Sequence, residues 1–260
     1  MTNVKYRGPG YYSYVMKIKD RLDKVIVDRG FVKSRERAKA LIMEGHVVVD
    51  GTVVTKAGNL VDAGSEIILK ERECPYVGRG GLKLAAALEH FKINPEGMVA
   101  MDVGCSTGGF TDCLLKKNAR KVYAIDVGYG QLDWSLRNDP RVVLFEKTNI
   151  RYMEKTAVPE AVDIAVVDVS FISLLKVLPR VLEFLGSGGK VLALIKPQFE
   201  AGKGMVGKGG VVKDESTRLS AIESVREGVS GIGFQALGVF ESPVRGQKGN
   251  IEYFIYLGRT

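Results

Sequence analysis

The stretch Met98–Thr111, MVAMDVGCSTGGFT, limits what this chain can fold into more than any other. Its apolar run, Met98 to Met101, ends at Asp102, and a loop of small residues leads from Val103 to Gly109. Phe110 to Leu115 then reads as a helix start. A buried strand that passes through a glycine turn into a helix suits a nucleotide-sized cofactor. Glycines let the backbone approach the ligand, and the helix N-terminus offers free N–H groups. The turn is not a phosphate loop: G-x-x-x-x-G-K-[ST] is missing, and Cys105-Ser106 after Gly104 breaks G-x-G-x-x-G. Ordinary αβ folds also contain such turns, so the flanking elements decide its meaning.

From Met98 onward strand and helix patterns alternate. Strands are expected at 98–103, 121–126, 142–145, 162–168 and 189–195, and helices at 109–117, 130–138, 171–185 and 214–229. That alternation predicts a parallel sheet covered on both faces. Phe234–Phe240 and Glu252–Leu257 follow with no helix between them and read as an antiparallel pair at one end of the sheet. A parallel sheet ending this way is the methyltransferase variant of the doubly wound fold.

Ligands in open αβ sheets lie beyond the C-terminal strand ends. Asp126 ends the second strand, 24 positions after Asp102, where such folds place the carboxylate that accepts hydrogen bonds from ribose hydroxyls. Asp102 and the spacing Gly104-x-x-x-Gly108-Gly109 suit the methionine end of S-adenosylmethionine, and Asn149 is placed for the adenine edge. The fourth strand ends in Asp168 and the fifth in Lys196-Pro197, so the two should face one crevice. A lysine ending a buried strand is a liability unless paired or used. A plain Asp168–Lys196 ion pair is its simplest use. Trp134 could pack near the cofactor, but is expected to fill core.

A small basic module precedes this domain. Leu22, Val25 and Ile26 mark one short helix; Ala38, Leu41 and Ile42 mark a second, with Ser34 as N-cap and Gly45 as stop. Asp50-Gly51 between Val47–Val49 and Thr52–Val54 signals a hairpin, and Glu66–Leu69 closes the unit. Lys33, Arg35, Arg37 and Lys39 lie on the face opposite the apolar stripe. Residues 1–15 have no periodicity and are expected to be a disordered extension, with Met16 as a possible true start. Past Tyr76–Gly81, Leu84, Ala87, Leu88 and Phe91 form a helical stripe, with Lys83 beside it.

The formal net charge of +8 favours an acidic partner such as nucleic acid. No apolar stretch is long enough to span a bilayer, and no charged-then-apolar leader opens the chain. Cys74, Cys105 and Cys113 contain no C-x-x-C and indicate neither a disulfide framework nor a metal site, which fits the cytoplasm. Both histidines, His46 and His90, precede the glycine loop, so chemistry on the αβ domain must use carboxylates or lysine.

Two resemblances emerge from these residues. Arg21-Leu22-Asp23, Ser34-Arg35-x-x-Ala38-x-x-Leu41-Ile42-x-x-Gly45 and Val47-x-Val49-Asp50-Gly51 resemble the RNA-binding domain of ribosomal protein S4, with Asp50 where that family usually has Asn. It implies phosphate contacts by Lys33, Arg35, Arg37 and Lys39, which add affinity without reading sequence. Lys83, Asp168, Lys196 and Glu252 resemble the Lys-Asp-Lys-Glu tetrad of the FtsJ-type ribose 2′-O-methyltransferases. Gly78-Arg79-Gly80-Gly81-Leu82-Lys83-Leu84, Asp126-Val127-Gly128-Tyr129-Gly130-Gln131-Leu132, Asp168-Val169-Ser170-Phe171-Ile172-Ser173, Lys196-Pro197-Gln198-Phe199-Glu200 and Gly249-Asn250-x-Glu252-Tyr253 are similar to the TlyA family within that group. Cys105, where alanine is usual, is a departure small enough to fit.

The resemblance implies an α/β fold: a Rossmann-like class I S-adenosylmethionine-dependent methyltransferase domain at 78–260, with a small N-terminal α+β S4-like RNA-binding domain at 16–72 and a linker at 73–77. It implies methyl transfer to ribose 2′-hydroxyls of ribosomal RNA, with cytidines favoured, no metal and no membrane. Asp102, Gly104, Ser106, Thr107, Gly108, Gly109, Phe110, Asp126, Asn149 and Asp168 would hold S-adenosylmethionine. Lys196 would act as base, Asp168 would steer it, and Glu252 would orient Lys83 or the hydroxyl. Lys203, Lys208 and Lys213 on the glycine-rich loop, with Arg245 and Lys248, would grip phosphates. Two rival classes remain: a hemolysin, a name also attached to the family, and a non-catalytic RNA-binding assembly factor. The missing leader and membrane span weigh against the first, and the intact tetrad against the second.

Overall fold

In a computed structural model of the chain, the described residues are 5–7, 11–13, 19–32, 34–43, 45–62, 64–69, 74–202, 204–207 and 209–260. Lys33, Lys203, Lys208 and Met16 lie outside them. The chain divides into two units, Met1–Glu73 and Cys74–Thr260.

In the smaller unit β1 (Lys5–Arg7) and β2 (Tyr11–Ser13) pair antiparallel, where the sequence suggests a disordered extension. Tyrosine favours strands, which accounts for Tyr6 and Tyr11–Tyr12 lying in them. β3 (Lys19–Arg21), α1 (Leu22–Asp28), α2 (Arg35–Met43), β4 (Val47–Val49), β5 (Thr52–Val54), β6 (Leu60–Asp62) and β7 (Ile67–Leu69) follow. The Ser34 hydroxyl accepts the Arg37 N–H, as an N-cap should. Asp50 and Gly51, both at positive φ, turn β4 into β5. Leu22, Val25, Ile26, Ala38, Leu41 and Ile42 are buried together with the inner face of the hairpin. The pairing of β3 with β6 lies outside the sequence expectation.

The larger unit begins with α3 (Gly80–His90), then β8 (Val99–Val103), α4 (Gly109–Lys116), β9 (Lys121–Ile125), α5 (Trp134–Arg137) and β10 (Val142–Phe145). β11 (Val162–Val167), α6 (Leu178–Phe184), β12 (Leu185–Ile195), α7 (Pro197–Glu200), α8 (Glu215–Ser230), β13 (Phe234–Glu241) and β14 (Tyr253–Arg259) complete it. One sheet runs β10-β9-β8-β11-β12-β14-β13; β14 is antiparallel to both of its neighbours. The sheet is buried on both faces. Met101 and Val103 join one core with α6 and α8, while Ala100 joins a second core with α3 and α4.

Two helices are shorter than the pattern suggests. The 130–138 segment is helical only from Trp134, because the Asp133 carboxylate caps the Ser135 N–H and sets the start there. The 171–185 segment is broken into a 3₁₀ turn, capped by the Ser173 hydroxyl, and α6, with Pro179 in its first turn where a missing N–H costs nothing. Trp134 does not fill core: it is 77% exposed.

Candidate active site

Parallel pairing at the centre of the sheet brings three loops together. Val103 pairs with both Ile125 and Val167, so Gly104, Asp126 and Asp168 leave the sheet side by side. The Asp168 N–H donates to the Val103 carbonyl at 2.9 Å. Gly104 has φ +86°, and a Cβ there would stand 2.4 Å from the Asp168 carbonyl oxygen, so a side chain would push these loops apart. The Asp126 carboxylate accepts the Ser106 N–H at 2.8 Å and the Gly128 N–H at 2.7 Å, which holds the glycine loop against the end of β9. Ser106 takes the left-handed φ of +48°, local strain of the kind found at ligand sites.

These loops wall a cleft of about 470 Å³, the size of a small-molecule site, lined among others by Gly104, Ser106, Asp126, Asn149, Asp168 and Phe171. A second hollow of about 290 Å³ shares Gly104, Ser106 and Asp168 with the first, so the two form one bent groove. Its other walls include Arg79, Lys83, Thr107, Gly109, Phe110 and Arg245. Gly108 lies beneath the loop, where a Cβ would strike Leu132 and Leu136. Asp102 is also underneath, fully buried, with Oδ2 accepting the Thr111 hydroxyl at 2.6 Å and Oδ1 without a hydrogen-bond partner. Burial raises its carboxyl to about 7; the Thr111 hydrogen bond opposes the rise, and the nearby Asp168 and Asp126 carboxylates add to it.

Two lysines complete the groove. Lys83 Nζ donates to Glu252 Oε2 at 2.6 Å. Lys196 Nζ lies 2.6 Å from Asp168 Oδ1 and donates to Ser170 Oγ at 2.9 Å. Ile195 pairs with Tyr253 across β12 and β14, so the next residues outward, Lys196 and Glu252, leave the same end of the sheet as neighbours. Gly246 makes room for this: a Cβ there would stand 1.9 Å from Glu252 Oε1. Of the tetrad, scattered from 83 to 252, Lys83 and Asp168 line the groove, and Glu252 and Lys196 stand behind them as their ion-pair partners.

The basic residues divide. Lys213 and Lys39 are exposed, and Arg37 is half-buried. Arg245 is 4.0 Å from Glu241 on the groove wall. Lys248 Nζ donates to the Gly209 carbonyl at 2.8 Å and is partly spent on holding its loop. Arg21 and Arg35 both donate to the buried Asp23, Arg35 at 2.9 Å while its side chain stays 48% exposed; these hydrogen bonds keep the Asp23 carboxyl well below its ordinary range.

Sequence reasoning gave no role to Ser170, Arg79, Phe171 or Asn250. Asn250 is buried and staples the glycine-rich loop, accepting from Val212 N–H at 3.1 Å and donating to the Gly210 carbonyl at 2.9 Å. Phe171, at φ +64° and 87% exposed, leans on Phe199 with ring centres 4.9 Å apart. All four stand inside the quoted motifs, which was the available signal.

Residues 76–259 match the model of the FtsJ-like methyltransferases. The chain belongs to the FtsJ-like methyltransferase family. Residues 20–67 match the S4 domain, so the family's catalytic unit here follows an S4 unit. The chain is 44% identical to the 16S/23S rRNA (cytidine-2′-O)-methyltransferase TlyA of Mycobacterium tuberculosis, over 91% of this chain and 89% of that one. It is 40% identical to Hemolysin A of Brachyspira hyodysenteriae, over 91% of this chain and 98% of that one. A solved structure from Streptococcus thermophilus that bears a hemolysin name superposes with a TM-score of 0.75 at 42% identity, covering 94% of this chain and 90% of the other. No helix among the described residues is long and apolar enough to cross a membrane.

The groove suits the cofactor of an FtsJ-like methyltransferase. S-adenosylmethionine carries an ammonium and a sulfonium, and the Asp126 and Asp168 carboxylates line the groove, with the Asp102 carboxyl buried behind them and one of its oxygens unsatisfied.

Proposed function

We propose that this protein methylates ribose 2′-hydroxyls of ribosomal RNA, at cytidines, using S-adenosylmethionine, and works on ribosomes in the cytoplasm. The observation that carries this is that two lysine–carboxylate pairs each put one member, Lys83 and Asp168, on the wall of the groove. Asp126 and Asn149 would take the nucleoside of the cofactor, Gly104 to Gly109 and Asp168 its methionine end. The bound cofactor supplies an electrophilic methyl group. Lys196 Nζ, when unprotonated, accepts the proton of the attacking 2′-hydroxyl, while Asp168 and Ser170 fix where that nitrogen stands. Glu252 fixes Lys83, which lines the hollow and would hold the ribose oxygen in line. Arg79 and Arg245 line the same wall and would take the flanking phosphates. The S4 unit adds sequence-independent grip through Arg37 and Lys39.

The test is methyl incorporation from labelled cofactor into purified bacterial ribosomal subunits, with ribose methylation mapped by primer extension at low nucleotide concentration. The expected result is a stop at one or a few cytidines that depends on the enzyme. Incorporation into bases alone, or into neither subunit, overturns the reading. The hemolysin name borne by a relative is checked by liposome leakage at physiological salt, where none is expected.

A further inference from the structure

Exposed aromatic rings stand in the segments that carry Asp126, Gln131 and Asn149 to the nucleoside side of the groove. Tyr129, Trp134 and Tyr152 are 71%, 77% and 73% exposed. Tyr129 lies under the Lys147 ammonium at 4.5 Å, and Tyr152 under the Arg151 guanidinium at 5.3 Å. Tyr129 follows β9 in the loop that Asp126 begins; Lys147, Arg151 and Tyr152 follow β10, in the segment that contains the groove residue Asn149. The Lys147 N–H donates to the Gly128 carbonyl and the Gly130 N–H to Glu146, so the two loops form one surface. Trp134 and Arg137 share a face of α5, and Arg137 reaches Glu146 at 2.6 Å in the same surface. Exposed rings beside cations suit unpaired nucleotides, whose bases stack while their phosphates meet the charges. Peptide partners would match the rings but gain less from a chain of net charge +8.

We infer that Tyr129, Trp134 and Tyr152, with Lys147 and Arg151, form a stacking platform for unpaired nucleotides of the substrate RNA next to the target ribose. It rests on the RNA-methylating function proposed above. These are positioning residues: they hold RNA and leave the reacting atoms to the tetrad.

The test compares wild type with Tyr129→Ala/Trp134→Ala in the full-length protein, on purified bacterial ribosomal subunits. The double variant should raise KM for subunits tenfold or more, leave kcat within twofold and leave S-adenosylhomocysteine binding by calorimetry unchanged. Tyr129→Phe/Trp134→Phe, which keeps both rings, should restore KM. Trp134 is the chain's one tryptophan, so adding protein-free ribosomal RNA should also quench its fluorescence, and cofactor alone should not. An unchanged KM, an equal loss of cofactor binding, or dimerisation that Trp134→Ala abolishes would overturn the platform. If wild type methylates nothing, the function proposed above fails, and the quenching still decides whether RNA lies on Trp134.

Discussion

The two lysine–carboxylate pairs at the end of the sheet have the same chemistry and different settings. Lys83 and Glu252 are both enclosed, at 11% and 3% side-chain exposure. Lys196 is as enclosed as Lys83, at 11%, but its partner Asp168 is 23% exposed and lines the groove, and Ser170 offers the ammonium a second hydrogen bond. A sealed pair stands only while both charges remain, because either one alone would be a buried, unpaired ion. Both pairs touch the groove, one through Lys83 and the other through Asp168, but a pair whose carboxylate is wet can exchange partners at little cost. The same residue types can therefore divide the labour: Lys83–Glu252 sets a fixed positive point, and Lys196 is free to handle a proton.

The sharpest way to break this contrast is Glu252→Ala. Leaving Lys83 buried and unpaired should cost about 3–5 kcal/mol in denaturant unfolding and abolish methylation. Lys83→Met/Glu252→Leu should recover most of that stability while activity stays lost. If Glu252→Ala unfolds at the wild-type midpoint, the pair is not sealed. Lys196→Ala should behave in the opposite way. A drop in kcat of about 10³-fold is expected, with cofactor affinity and thermal midpoint close to wild type, because Asp168 remains wet. Loss of stability equal to that of Glu252→Ala would erase the distinction. Gly246→Ala probes the enclosed pair from its other side: the added Cβ collides with Glu252 Oε1, which should cost about 1–3 kcal/mol and lower activity without touching Lys196.

How far the sequence foretold this arrangement depends on the range of each contact. Asp102, Asp126, Asp168 and Lys196 are legible because each sets a charge at or just past the end of an apolar run, a pattern local to half a dozen residues. The alternation of strands and helices was legible for the same reason. The position of Glu252 was not: β14 inserts between β12 and β13, and nothing near residue 252 shows that Ile195 will pair with Tyr253. Only the family motif pointed there. Arg35 reads as a surface cation and is one, at 48% side-chain exposure, but it also holds Asp23, buried twelve residues away, a contact that nothing near residue 35 announces. Trp134 reads as core because it is large and apolar; Leu132 and Leu136 occupy the inward positions instead. The left-handed φ of Phe171 has no local signal at all, since glycine is the usual mark of that conformation.

The smallest effect concerns how far the open pair's charge reaches. Asp168 is one of the carboxylates that raise Asp102, after burial itself. In the unfolded chain the Asp102 carboxyl returns to its ordinary value of 3.8, whereas in the fold it keeps its proton up to about 7. Between these values folding takes up a proton, so this group makes stability fall as pH rises, by up to about 1.4 kcal/mol per pH unit, and the slope ends above 7. Asp102→Asn removes the titration. From about pH 5.5 to 6.5 its stability should therefore fall less than that of wild type, by on the order of 1 kcal/mol, in parallel denaturant titrations without cofactor. Asp168→Asn should leave the slope but move its upper end to lower pH, because one neighbouring negative charge is gone. If Asp168→Asn leaves that end where it was, the open pair's carboxylate is screened from the glycine-loop aspartate. Lys196 would then neutralise Asp168 as fully as Lys83 neutralises Glu252, and the two pairs would differ in exposure alone.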